Sequence, residues 1–415
     1  MTIIRHLQAR QCFRALSLAS LLIGGCGSTS VGATPADSLN TTASSQATGV
    51  TAPATTDTAQ KPIKYHPGHY IEMDPGSGGG GVTGWLKTIA SLKGAAGVKG
   101  VMLIQPWSSL EFAESVYTRG SGSDAQGFAM IDQLLAACRS AGLQFILGVE
   151  DRSFGAAKTY SEPTSYGQLP GYFDGLSTAT GAPGYIDAPS GTTWSGSLQM
   201  IAKLWDPTVM DRYIRLTQAY GARYDSNPSF EMWATSETAI GTPTGDGGFN
   251  YGAYVEELQR WIPFARAAFP TTGLRISANF LQDPSQLTAL FETARPHAVG
   301  IGGPDVKIPL AKPFSGTSNL VFNGYEGGLD YRGVLPWISE VQTPDESGIY
   351  SPSEIYDYAM GGAISLGGAM RPNYFVWGFD AGYMGPKAFT NAQILAFISS
   401  VDGAVNSTKP STYER

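Results

Sequence analysis

Cysteine, histidine and basic residues are all scarce in this chain. Three cysteines in 415 residues cannot build a disulfide framework. With only four histidines, no HExxH and no CxxC occurs, so a catalytic metal is not expected. No GxSxG elbow is present, which removes the usual serine-hydrolase signature. Lys and Arg number 27 against 34 acids, a net charge of −7, and nucleic-acid binding is not expected on that balance. Charged residues make up only 15% and apolar ones 42%, which suits a folded body and not a disordered one. No apolar run is long enough to span a bilayer. What the chain does have is glycine (52), proline (26) and aromatic residues (11%), the signature of a large, loop-rich domain.

The N-terminus reads as a targeting segment. Arg5, Arg10 and Arg14 precede an apolar run from Ala15 to Ile23, the charged and apolar regions of a secretory signal. The run ends in Leu22-Ile23-Gly24-Gly25-Cys26, which resembles the lipobox of bacterial lipoproteins. That resemblance implies cleavage after residue 25, lipidation of Cys26 and a domain held extracytoplasmically at the bacterial cell envelope. Removing residues 1–25 takes away three arginines and no acid, so the remainder is more acidic still. Residues 26–60 are rich in Ser, Thr, Ala and Gly, with Asp37 and Asp57 as their only charges, and read as a flexible tether. Cys138 sits on an apolar helical pattern with Ile131, Leu134 and Leu135, as a buried structural thiol would.

From residue 61 to 415 short apolar runs alternate with amphipathic stretches. Eight candidate strands are Tyr70–Asp74, Gly100–Ile104, Gln144–Val149, Phe230–Ala234, Leu274–Ala278, Ala298–Gly302, Leu335–Ser339 and Tyr374–Gly378. Helical patterns cover Phe128–Ala141, Pro207–Tyr224, Tyr251–Ala268, Pro284–Ala294, Pro352–Leu366 and Asn391–Val401. Apolar strands alternating with helices imply a parallel sheet covered by helices, and eight such units fit an α/β fold of the (β/α)8 TIM-barrel type. A doubly wound open sheet is the alternative. Long, aromatic-rich connections, Arg152–Trp205 and Gly303–Val334, follow strands 3 and 6, on the face where barrel enzymes build their sites.

Gly76-Ser77-Gly78-Gly79-Gly80-Gly81 satisfies the dinucleotide-binding pattern GxGxxG. The supporting acid is missing, since the second strand runs into Ile104-Gln105-Pro106-Trp107. A secretory signal also argues against a nucleotide, so no cofactor is expected. The acids at strand ends carry more. Glu237 lies past the end of strand 4 and Glu340 at the end of strand 7, where two carboxyls can face each other across a barrel mouth. Glu231, at the start of strand 4, falls on the structural end.

The segment Asp225-Ser226-Asn227-Pro228-Ser229-Phe230-Glu231-Met232-Trp233-Ala234-Thr235-Ser236-Glu237 resembles the strand-4 signature of the retaining (β/α)8 glycoside hydrolases of the cellulase-like, family 5-type clan. The resemblance implies that Glu237 is the general acid/base and Glu340 the nucleophile. It also implies that Trp377 floors the sugar subsite. Ser236 stands where that signature has an asparagine for the sugar 2-hydroxyl. The mechanism implied is double displacement, with the two carboxyls about 5–5.5 Å apart.

Further substrate contacts are expected from strand ends. Trp107 could stack on a sugar or belong to the core. Glu150 and Asp151 could bind hydroxyls or pair with Arg152. Asn279 and Asp305 end strands 5 and 6, and His69 is expected to pack at the barrel bottom. A polysaccharide or oligosaccharide is the expected partner, with a lipid anchor to the membrane, and a monomer is expected. Two alternatives stay open: a catalytically inactive carbohydrate-binding TIM-barrel lipoprotein, and a structural surface lipoprotein.

Overall fold

The computed structural model describes residues 61–73, 81–152, 169–187, 200–240, 246–279, 281, 284–303, 306, 331–341, 350–361, 371–378 and 389–414. The signal, Cys26, the tether, most of the glycine loop, Asp305 and much of the two aromatic connections lie outside the described residues.

Eight parallel strands close into a barrel: β1 (Gly68–Met73), β2 (Val98–Pro106), β3 (Gln144–Glu150), β4 (Phe230–Glu237), β5 (Gly273–Ser277), β6 (Gly300–Gly303), β7 (Trp337–Val341) and β8 (Tyr374–Gly378). Each pairs with the next in sequence, and β8 pairs back onto β1. The fold is the expected (β/α)8 barrel, and closure excludes the open sheet.

Strand alternation sorts the apolar residues into two layers. Tyr70, Met102, Ile146, Met232, Ala234, Ile338, Tyr374 and Val376 fill the barrel. Their neighbours, among them Ile71, Leu103, Leu147, Trp233, Trp337 and Trp377, face outward into a larger core under the helices. Both faces being apolar is why these strands read as continuous runs.

Besides a single turn at Trp107–Leu110, the described α-helices are α1 (Gly81–Ser91), α2 (Phe128–Ala141), α3 (Pro207–Tyr224), α4 (Tyr251–Ala268), α5 (Pro284–Ala294), α6 (Pro352–Met360) and α7 (Asn391–Ser400). Local chemistry sets their ends. The Asp206 carboxylate accepts from Thr208 N at 2.9 Å, and Pro207 occupies the first turn, where its missing N–H leaves nothing unpaired. Ser351 with Glu354, and Thr390 with Gln393, form capping boxes. The α6 helix stops at Met360 rather than running on to Leu366, because Gly361 adopts a left-handed conformation (φ 94°). Cys138 is buried in α2, and burial pushes its thiol up to about 12.

The N-terminal end of the barrel is sealed by the strap of residues 61–67. The Lys64 ammonium donates to the carbonyls of Asp225 (2.9 Å), Asn227 (2.8 Å) and Phe230 (2.6 Å), and burial lowers its pKa to about 8. Glu231, fully buried, accepts from His66 N (2.9 Å) and Tyr374 OH (2.8 Å), and its second oxygen lies 2.7 Å from His66 Nδ1. Its place at the closed end matches the structural role expected of it. His69 is the second residue of β1 and faces outward, stacked on Phe375 and Trp377.

Candidate active site

The opposite end of the barrel gathers carboxyls. Glu150 closes β3 with the parity of inward-facing Ile146, and Ser236 near the end of β4 meets it there. Strand β4 shifts register against β3 between Phe145 and Ile146, and against β5 between Ala234 and Glu237. Simple alternation along β4 therefore fails, and the second shift brings Glu237 opposite Ser277. There Asn279 Nδ2 donates to Glu237 Oε2 at 2.8 Å. Asn279 is itself fixed: its Oδ1 accepts from Ala239 N at 3.0 Å, and its N–H donates to Thr238 Oγ1 at 2.7 Å. Asn279 thus fixes the orientation of the Glu237 carboxyl.

Glu340 lies on β7 two residues above inward-facing Ile338, 2% exposed. Arg275 of β5, fully buried, donates to it through Nη1. The guanidinium also donates through Nη2 to Ser277 Oγ (3.2 Å) and Gly303 O (3.3 Å). Room for it comes from β6: a Cβ on Gly302 would lie 2.7 Å from Arg275 Nε and closer still to Ile338 O. Sequence reasoning missed Arg275. The signal was there, since an arginine inside the apolar run Leu274–Ala278 must find a buried counter-charge. Glu72 was missed too; it is buried near the C-terminal end of β1 with the inward parity of Tyr70.

Glu150 Oε1 accepts from Ser236 Oγ at 2.5 Å. Arg152 Nε is 3.8 Å away, but that guanidinium holds Asp151 through two bonds (2.7 and 3.1 Å) and donates to Ala239 O. Burial pushes the Glu150 carboxyl up to about 8; the Asp151 and Glu237 charges add to this, while Arg152 and the Ser236 hydroxyl oppose it. Asp151 is therefore the structural ion pair, and Glu150 is left at the mouth.

Both tryptophans lie in the core, which corrects the expectation for Trp377 and decides the open one for Trp107. Trp377 is fully buried on the outward side of β8, stacked on Phe375 and packed against Phe397 of α7, with Nε1 donating to His69 Nδ1 at 2.9 Å. Trp107 is fully buried between Phe173 and Tyr213 and donates to Glu111 at 2.8 Å. Neither offers a face to a sugar. Among the described residues no group of three or more His, Cys, Asp or Glu side chains is placed to hold a metal ion.

Fold and site together define a (β/α)8-barrel protein with a carboxyl-rich C-terminal mouth. The catalytic domain of the β-amylase from Paenibacillus polymyxa superposes with a TM-score of 0.50 at 11% identity, covering 81% of this chain and 99% of that one. The β-1,4-D-mannanase from Cryptopygus antarcticus gives 0.49 at 13%, covering 84% and 97%. Endo-glycoceramidase II from Rhodococcus sp. gives 0.45 at 12%, covering 79% and 78%. At such identities the likeness establishes the fold alone. No protein-family model matches the sequence, and neither does any curated protein.

Proposed function

We propose that the chain is a retaining glycoside hydrolase that cleaves a polysaccharide or oligosaccharide by double displacement. The observation that carries this reading is the placement of Glu237 and Glu340 at the C-terminal ends of β4 and β7, each held by its own partner, Asn279 and Arg275. In this mechanism Glu340 attacks the anomeric carbon while Glu237 protonates the leaving oxygen. A glycosyl–Glu340 ester results, and Glu237 then deprotonates the water that hydrolyses it. Arg275 aims Glu340 and compensates its charge in the barrel wall. Asn279 orients Glu237.

Residues 61–67 enter at the N-terminal end of the barrel, opposite the mouth, and on this reading a lipidated Cys26 precedes them in the chain. On this reading the protein is a monomer anchored to the bacterial cell envelope. The second reading, a silent sugar-binding barrel, draws support from Ser236, whose hydroxyl is engaged by Glu150.

Product stereochemistry tests the proposal. Proton NMR of a cleaved glycan should show the retained anomer first. Glu340→Ala should lose turnover and recover it with azide as an inverted glycosyl azide. Glu237→Ala should keep first-step turnover on activated aryl glycosides and give a retained azide product. An inverted product from the wild type overturns the roles given to the pair. Binding without turnover across a glycan panel favours the second reading.

A further inference from the structure

We propose that Arg152 is a positioning residue for Glu237, acting through Ala239 and Asn279. Its effect on turnover rests on the hydrolase reading; the contacts that carry it do not.

The paired register of β3 and β4 ends at Gly148 and Ala234. Glu237 therefore lies beyond the ladder on the β3 side, and past a register shift on the β5 side. Other bonds must hold it. Toward β5 they are dense: Thr238 N donates to Ser277 O (2.9 Å), Asn279 N to Thr238 Oγ1 (2.7 Å) and Ala239 N to Asn279 Oδ1 (3.0 Å). These bonds join residues 237–239 and Asn279 into one block, which carries the 2.8 Å bond from Asn279 Nδ2 to Glu237 Oε2. Toward β3 the block is held by the guanidinium of Arg152, fully buried, which donates through Nη1 to Ala239 O. Arg152 and Asn279 thus grip the same residue, one by its carbonyl and the other by its N–H. Ser236, just before Glu237 in the chain, crosses the same seam to Glu150 at 2.5 Å, so the acid is tied on both sides.

Arg152 is itself fixed. Asp151 accepts from its Nε at 2.7 Å and from its Nη2 at 3.1 Å, which sets the plane of the guanidinium and aims Nη1 at Ala239. The backbone is held too: Arg152 bridges to Ile201, and Ala202 N donates to Asp151 O at 3.0 Å. The insertion that follows β3 is thereby fastened to the same two residues. A lysine cannot reproduce this fork, since a single ammonium serves Asp151 or Ala239 with good geometry but not both. Without the Nη1 bond the Ala239 carbonyl loses its donor and turns to find another. The Ala239 N–H turns with it, the Asn279 amide loses its anchor, and Glu237 loses its fixed donor.

Arg152→Lys keeps a positive charge beside Asp151 and gives up the fork. A proton–nitrogen NMR spectrum of the protein tests the relay without a substrate. The side-chain amide of Asn279, assigned by its loss in Asn279→Asp, should shift in Glu237→Gln, where its direct partner changes. It should shift in Arg152→Lys as well, while the backbone resonance of His66 at the sealed end stays in place. An Asn279 amide unmoved in Arg152→Lys overturns the proposal. Should the lysine variant fail to fold, Asp151→Asn/Arg152→Met removes both buried charges together, and the same shift is expected of it. On phenyl and 2,4-dinitrophenyl glycosides of a sugar the wild type cleaves, Arg152→Lys should lower kcat/KM about tenfold or more for phenol, a leaving group that needs the acid, and far less for dinitrophenol, which does not. Equal losses on the two overturn the positioning role. In the Asn279→Ala background the lysine should lower the phenyl rate by no more than about twofold further, because the link it acts through is already gone. A full second loss there overturns the route through Asn279. If no glycan is cleaved, the hydrolase reading fails while the amide spectrum still decides the relay.

Discussion

Replacing Arg275 with methionine removes the guanidinium that donates to Glu340 and leaves that carboxylate in the barrel wall, 2% exposed. Methionine keeps much of the apolar volume of the arginine stem, so the loss is mainly electrostatic. Breaking a buried pair from one side costs about 3–5 kcal/mol, because the remaining charge has given up water without a counter-charge. Glu340→Gln breaks the same pair from the other side, leaves a fully buried guanidinium short of its carboxylate, and should cost a comparable amount. The double variant removes both charges, and the desolvation penalty disappears along with the attraction. It should be no less stable than the weaker single variant. Urea unfolding followed by tryptophan fluorescence, extrapolated linearly to water, measures all three. If the two single losses add in the double variant to within about 0.5 kcal/mol, the residues are uncoupled and the positioning of Glu340 by Arg275 is wrong.

Three other outcomes follow from particular contacts. The bond to Glu231 raises the His66 pKa, so the folded protein holds that proton more tightly than the unfolded chain. The resulting stability is fully present below the unfolded value, about pH 6.5, and is lost as pH rises through the higher folded value. The urea midpoint gap between wild type and His66→Asn should therefore be wide near about pH 5.5 and close near about pH 9; an equal gap at both would show that the pair does not titrate this way. Trp377→Phe orphans His69 Nδ1 and opens space beneath α7, so it should cost about 1–3 kcal/mol by denaturation and leave glycan affinity untouched. Weakened affinity at unchanged stability would return Trp377 to the sugar site. Cys26→Ser should release the protein from membranes or block its processing while leaving the barrel active, and persistence in the membrane pellet after carbonate washing would rule out the lipid anchor.

The strand and helix pattern was legible in the sequence because its causes are local. Caps such as Asp206-Pro207 and Ser351-Pro352, with apolar runs of strand length between them, mark the elements wherever they sit in space. Eight repeats of that pattern then leave few ways to close a parallel sheet. The strand-end acids Glu237 and Glu340 were legible for the same reason, since their distance from the strand start is a property of sequence. The tertiary structure decided which way each side chain points and what it meets. In a parallel barrel both strand faces are apolar, so nothing along β8 distinguishes an inward tryptophan from an outward one, and Trp377 proves to face the helices. A register shift in β4, set by its neighbours, turns Glu237 toward Asn279. Arg275 and Glu340 lie 65 residues apart, and Glu150 and Ser236 lie 86 apart. Each pair exists only because barrel closure brings their strand ends to one rim, where burial makes every charge depend on its neighbour.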